Sequence, residues 1–187
     1  MKILIAPLNW GLGHASRCIP LIRQHVAAGD EVVIGGDGES LMLLQKHFPE
    51  LHYIALAPLR LRYSRGKSQV GAMLRALPML LRNYREDGKR LAAAQALEHF
   101  DLVISDNRFG LYNKDIRCVY MTHQVQIRLP RFWRWAEPIA ARLHARIYNR
   151  YSELWVVDSE DHRLAGWLSM GSRHKKTRYV GPLSRFT

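Results

Sequence analysis

MKILIAPLNWGLGHASRCIPLIRQHVAAGDEVVIGG, residues 1–36, reads as a strand, a glycine turn, a helix and a second strand. Lys2 to Ala6 is a short apolar run of the kind buried on both faces of a parallel sheet. Ala15 to Ala28 carries Ile19, Ile22 and Val26 at helical spacing, and Gly29 closes that segment. Glu31 to Gly35 is the next strand. A strand, a helix and a strand joined this way form a βαβ unit, whose two strands lie parallel.

The alternation continues along the chain. Helices are predicted at Glu39–Phe48, from Val70 to Tyr84 with a kink at Pro78, at Arg85–Glu98, at Arg131–Tyr151 and, capped, at Asp158–Met170. Strands are predicted at Leu51–Leu56, Asp101–Ser105, Arg117–Met121, Leu154–Val157 and Arg178–Val180. Residues 57–68, basic and without periodicity, read as a loop. Strands alternating with helices imply an α/β, Rossmann-like fold, a parallel sheet with helices on both faces. The sequence shows no internal repeat. Residues 1–180 read as one domain, and 181–187, beginning Gly181-Pro182, as the start of a linker to a further domain.

A chain of 187 residues suits one domain and is long enough to bury a core without disulfides. Twenty-eight Lys and Arg against sixteen Asp and Glu give a formal charge of +12, which calls for an anionic partner. Cys18 and Cys118 form no C-x-x-C pattern, which suits a reduced, cytoplasmic setting. The N-terminal apolar run is too short for a signal peptide, and no run reaches the ~18 apolar residues of a membrane span. No recognition-helix or zinc-knuckle motif supports nucleic acid as the partner.

Chemistry is expected at the carboxyl ends of the strands, where open α/β sheets bind ligands. Gly11 and Gly13 follow the first strand and permit close backbone approach, and a helix N-terminus follows them. Gly11-x-Gly13-x-x-Ser16 falls one glycine short of the dinucleotide fingerprint, in which reading Asp37 would hold a ribose. His14 suggests another use. The dipole disfavours its charged form there, and a neutral imidazole is what a general base requires. The plainer reading is that His14 caps the turn.

Asn9-Trp10-Gly11-Leu12-Gly13-His14-Ala15-Ser16-Arg17-Cys18 resembles the first loop of GT-B glycosyltransferases, in the branch of the lipid-intermediate N-acetylglucosaminyltransferase of peptidoglycan synthesis. That loop reads Gly-x-Gly-His followed by a small residue. The resemblance implies an amino-terminal acceptor-binding domain, one half of a two-domain architecture, with a donor domain outside this chain. It implies a hexosyltransferase, inactive as the isolated domain, that uses a nucleotide-sugar co-substrate, a lipid-linked or glycan hydroxyl acceptor and no bound metal or other cofactor. On this reading His14 deprotonates the acceptor hydroxyl, Trp10 offers an apolar face, and Asn9, Gly11 and Gly13 line the substrate.

Two later strand ends extend the candidate site. DLVISDNRFG places Asp106 to orient His14 or take the proton itself, and Asn107 and Arg108 to bind acceptor hydroxyls or phosphate; a simple turn is the alternative. CVYMTHQVQ places His123 and Gln124, and is similar to a His-Glu-Gln segment of the same family, without its acidic residue. Asp158, Glu160, Asp161 and His162 read as a helix cap rather than a metal site.

RFWRWAEPIAARLHARIYNRY sets Phe132, Trp135, Ile139, Leu143 and Ile147 on one helical face, flanked by Arg142, Arg146 and Arg150. It reads as a peripheral anionic-membrane surface or as a face packed on the sheet. Arg60, Arg62, Arg65, Lys67, Met73, Leu77, Leu80 and Leu81 would extend it. Three other functions remain open: a nucleotide-sugar 2-epimerase of the same fold, a dinucleotide-dependent oxidoreductase, and a non-catalytic binding protein.

Overall fold

The computed structural model describes residues 1–58, 69–162 and 164–183, the side chains of 69–77 and 80 excepted. The loop expected at 57–68, with Arg60, Arg62, Arg65 and Lys67, therefore lies almost wholly outside the described residues. So do the side chains of Met73, Leu77 and Leu80, and residues 184–187 of the expected linker.

Seven strands form one sheet in the order β3-β2-β1-β4-β5-β6-β7. They are β1 (Lys2–Pro7), β2 (Glu31–Gly36), β3 (His52–Ala55), β4 (Leu102–Asp106), β5 (Arg117–Thr122), β6 (Glu153–Val156) and β7 (Thr177–Tyr179). Every neighbouring pair is parallel. The chain winds outward from β1 to β3, then crosses to β4 on the other side of β1. The crevice between β1 and β4 is therefore the topological switch point of the sheet.

Period-two alternation divides the strand residues between two cores. Ile3, Ile5, Val32, Ile34, Leu102, Ile104, Val119 and Met121 face one side, where they pack with Ala15, Cys18, Ile19 and Ile22 of α1 (Leu12–Ala27) and Leu44 of α2 (Gly38–His47). Leu4, Ala6, Val33, Val103, Cys118, Tyr120, Leu154 and Val156 face the other, against Leu91 of α3 (Gln69–Glu98) and Ala145 and Tyr148 of α4 (Glu137–Tyr148). Both cysteines are buried and unpaired.

Three helical expectations are corrected. The two helices predicted on either side of Tyr84 are one, α3, with Pro78 inside it; nothing between Tyr84 and Gly88 removes a backbone donor or forces a turn. The single helix predicted at 131–151 is instead a 3-10 helix at Arg131–Ala136 followed by α4. Pro138 has no N–H to donate back to Arg134, and the preceding turn closes with a tighter bond, Trp133 N to Pro130 O at 2.7 Å. The capped helix predicted at 158–170 does not form: only Gly166–Ser169 is helical, as a 3-10 turn. The Asp158 carboxylate gathers the Ser159, Leu164 and Ala165 amides, at 2.8–3.0 Å, into a loop.

Gly110 is where the turn after β4 meets α3. A Cβ there would stand 2.2 Å from the Tyr84 carbonyl oxygen and 2.9 Å from its carbon. These are backbone atoms of a long helix and cannot step aside. Gly110→Ala is expected to destabilise the fold by about 1–3 kcal/mol, the usual cost of overpacking, measured as a lower midpoint in urea unfolding with an unchanged slope.

Candidate functional site at the switch point

The glycine loop after β1 leads directly into α1, which begins at Leu12, three residues before the predicted start. Gly11 is the N-cap at φ 77°, a left-handed conformation that favours glycine. His14 thus sits in the first turn of α1, and Arg17, three residues on, shares its helix face.

The sheet's alternation supplies the facing groups. Asp106 is in phase with Leu102 and Ile104, so it points toward α1 from the end of β4. It is wholly buried. His123 follows β5 in phase with Val119 and Met121 and comes to the same side. The Thr122 hydroxyl turns the chain there by accepting from Gln124 N and donating to Gln124 O, both at 3.1 Å.

Arg17 joins these groups. Its Nε donates to Asp106 Oδ2 at 2.7 Å, its Nη2 donates to Asp106 Oδ1, and its Nη1 lies 2.9 Å from His123 Nδ1. His14 Nδ1 is 3.1 Å from Asp106 Oδ1 and 2.8 Å from Arg17 Nη2. The two imidazole centroids are 6.1 Å apart. Burial pushes the Asp106 carboxyl up, but the His14 hydrogen bond and the Arg17 charge outweigh it and hold the acid below its usual range. His123 is pushed down to about 4 by burial first, then by the Arg17 charge and by His14. It is neutral at pH 7. The Cys18 thiol, 3.9 Å from Asp106, is raised by burial and by that carboxylate and stays protonated.

His14, Asp106 and His123 thus meet in one cluster, although they stand up to 109 positions apart. Trp10 and Gln124 are exposed beside them on the loops after β1 and β5. Gly13 leaves open space where a Cβ would be. Arg17 was missed as a site residue, yet its position three residues after His14 on a predicted helix was the available signal.

Asn9, Asn107 and Arg108 go elsewhere. Asn107 takes a left-handed backbone, φ 57°, and its side chain accepts from Tyr120 OH at 2.9 Å. That turn sends Arg108 to the opposite face from Asp106. The expectation that Arg108 binds an acceptor is corrected: its side chain is 1% exposed and bridges Asp37 and Asp87, at 2.7 and 2.9 Å. It also donates to Ala57 O at 2.6 Å. Asn9 is tied to the same cluster, donating to Asp37 Oδ2 at 3.1 Å and accepting from Ser40 N at 3.3 Å. Asp37, ion-paired and buried, is not presented to a ribose, which removes the anchor of the dinucleotide reading.

The Asp158 loop backs the segment that follows His123. Asp158 accepts from Ser169 Oγ at 2.7 Å as well as from the three amides above. Leu168 O in turn accepts from Val125 N and Gln126 N, at 2.7 and 2.9 Å, fixing the segment that follows His123. Among the described residues, no group of three or more His, Cys, Asp or Glu is placed to hold a metal ion.

Comparison with known proteins agrees with this architecture. An uncharacterized glycosyltransferase of Methanosarcina acetivorans is 30% identical over 158 residues, covering 80% of this chain and 39% of its own length. The kitacinnamycin glycotransferase superposes with a TM-score of 0.63 at 15% identity, over 97% of this chain and 51% of that one. MurG of Acinetobacter baumannii gives a TM-score of 0.52 at 10% identity, over 94% and 44%. The fold is the one seen in about half of each of these solved GT-B glycosyltransferase structures. The chain spans about two fifths of the length of the Methanosarcina relative and about half of these solved structures. No protein-family model matches the sequence.

Burial raises the Asp158 carboxyl, but its donors Ser169, Leu164, Ala165 and Ser159 outweigh that and bring it to about 2. An unfolded aspartate titrates near ~3.9. A depressed native value adds stability that is complete above the unfolded value and is lost as pH falls toward the folded one. Asp158→Asn is therefore expected to melt below wild type at pH 6, with the gap narrowing from about pH 4 to about pH 2. A gap that stays constant with pH would show that the charge on Asp158 contributes nothing.

Proposed function

We propose that this chain is the acceptor-binding half, residues 1–180 with a linker from 181, of a glycosyltransferase that moves a glycosyl group from a nucleotide-sugar to a hydroxyl of a lipid-linked or glycan acceptor. The observation that carries the proposal is the His14–Asp106 hydrogen bond at the switch point. It lies in a chain similar in sequence to a glycosyltransferase.

His14 Nδ1 lies between a carboxylate oxygen, which only accepts, and a guanidinium, which only donates. Asp106 is the stronger acceptor, because it is buried and charged while the imidazole lone pair is neutral. Nδ1–H donating to Asp106 leaves Nε2 with its lone pair outward. That nitrogen takes the proton of the acceptor hydroxyl. The oxygen then bonds the anomeric carbon of the donor sugar while the bond to the nucleotide diphosphate breaks, and the leaving group keeps that electron pair. Asp106 stabilises the imidazolium that forms. Trp10, Gly11, Gly13 and Gln124 line the acceptor, and His123 contacts it.

The second half of the proposal is an anionic bilayer as the working surface. Phe132, Trp135, Ile139 and Leu143 are 89%, 67%, 56% and 53% exposed, so this face does not pack on the sheet. Exposed Arg131, Arg134, Arg142 and Arg146 flank it. On α3, Leu81, Arg82 and Arg85 are exposed as well. Ile147 and Arg150 drop out of the stripe: Ile147 packs on the core, and Arg150 stacks on Tyr84 and Tyr112. Aromatic side chains beside arginines suit the interface of an anionic membrane. Among the described residues, no helix is long and apolar enough to cross a membrane.

Two measurements test these readings. In the complete protein, His14→Ala is expected to lower turnover by roughly 10²–10⁴-fold, with acceptor binding changed much less and the melt nearly unchanged. A folded variant with normal turnover would remove His14 as the base. In co-sedimentation, the chain is expected to bind vesicles containing anionic lipid, with binding lost as screening shortens from about 10 Å at 0.1 M salt to about 3 Å at 1 M. Phe132→Ser with Trp135→Ser should weaken it. Equal binding to neutral vesicles would overturn the electrostatic part.

A further inference from the structure

Two imidazoles face one site, and the tautomer of each decides whether its outward nitrogen can take a proton or donate a hydrogen bond. Their local partners differ in a way that decides the matter for His123. A guanidinium is protonated at every pH the protein meets, and all its hydrogens are donors. Arg17 Nη1 lies 2.9 Å from His123 Nδ1. That nitrogen therefore accepts, and the single proton of the neutral ring sits on Nε2.

We propose that Arg17 is a positioning residue that fixes His123 as a neutral Nε2–H donor, so that His123 holds an oxygen of the acceptor while His14 alone serves as the base. This deepens the glycosyl-transfer reading and rests on it for the identity of the ligand. The chemical class that follows is an acceptor with two oxygens near each other. One is a hydroxyl whose hydrogen meets His14, and the other is an oxygen lone pair that meets His123. A sugar diol, or a hydroxyl beside a phosphate, has that form.

The charge arrangement keeps the division of labour stable. The charged and titratable groups facing His123 are Arg17 and His14 from α1 and Asp106 from the end of β4. A proton added to His123 would have to displace the Arg17 hydrogen bond from Nδ1 and would place a second positive charge beside the guanidinium. Asp106 opposes this only weakly, because Arg17 already engages both of its oxygens. His14 differs in that its Nδ1 has the Asp106 oxygen at 3.1 Å as well as Arg17 Nη2 at 2.8 Å, and on the reading proposed above it donates to the carboxylate. One arginine thus blocks the lone pair of one histidine and braces the carboxylate that orients the other.

The test needs no turnover, so its outcome is independent of whether the protein transfers sugar. Long-range ¹H–¹⁵N correlation spectra of the labelled 187-residue chain report the tautomer of each neutral imidazole. His123→Gln identifies the His123 signals by their loss. In the wild type, His123 is expected to show the Nε2–H pattern at pH 7 and to titrate with a midpoint near 4. In Arg17→Met the pattern should become a tautomer mixture, and the midpoint should move up toward the ordinary imidazole value of about 6.5. Arg17→Lys, which keeps a charged donor, should restore most of the wild-type behaviour. An Nδ1–H pattern for wild-type His123 would overturn the proposal even if Arg17→Met does not fold. So would a folded Arg17→Met chain with unchanged His123 spectra. Loss of sugar transfer in some other assay would leave this result standing, and a failed tautomer test would leave His14 as the base.

Discussion

A carboxylate sealed in a protein interior must find a cation or give up its charge. Asp106 finds Arg17, and much of the site follows from that pair. The pair ties the first turns of α1 to the end of β4, two elements separated by about half the chain. With α1 held there, His14 stands over the Asp106 oxygen and His123 comes within reach of the same guanidinium. The exchange of contacts is mutual. The arginine helps keep the acid ionised, and the acid holds the Nε and Nη2 donors of the arginine.

A second buried ion cluster supports the other side of the loop. Arg108 draws together Asp37 at the start of α2, Asp87 in α3 and the carbonyl of Ala57, and Asn9 hangs from Asp37. Such a cluster contributes little net stability over an apolar one, because desolvation offsets most of the attraction. What it supplies is geometry. Four chain segments are held around the glycine turn by directional bonds, and Asn9 passes that order to Trp10 and Gly11. Residues that look like ligand contacts when read along the chain are here the frame that holds the glycine loop.

The fold was largely legible, and the site was legible in part, for separable reasons. Strands such as Leu102–Asp106 announce themselves by unbroken apolar runs, and all seven fall within a few residues of expectation. The helices failed where one local rule met a competing bond: Pro138 split the segment at 131–148, and the Asp158 side chain drew its own loop in place of the helix expected there. That His14, Asp106 and His123 would meet was legible because each stands at or just beyond the carboxyl end of a strand. Arg108 was misplaced because Asn107 adopts a left-handed backbone, which reverses the face of the next residue and leaves no mark in the sequence pattern. Arg17 was missed although its spacing from His14 was visible. Spacing says which residues share a helix face, but not that a buried acid faces them.

The two faces of the sheet present different surfaces. The candidate site opens at the carboxyl edge, where Asp106 and His123 are directed toward α1. The exposed aromatic and basic stripe belongs to α4 and the 3-10 turn before it, on the opposite layer. The segment Gln124–Pro130 joins them: it leaves His123, is pinned by Leu168, and runs straight into the exposed turn. On the reading proposed above, a bilayer-held acceptor would keep its apolar part anchored while its polar head reaches His14. A short, pinned connection between the aromatic turn and His123 would meet that need, because backbone hydrogen bonds to Leu168 fix the segment between the exposed stripe and the carboxyl edge.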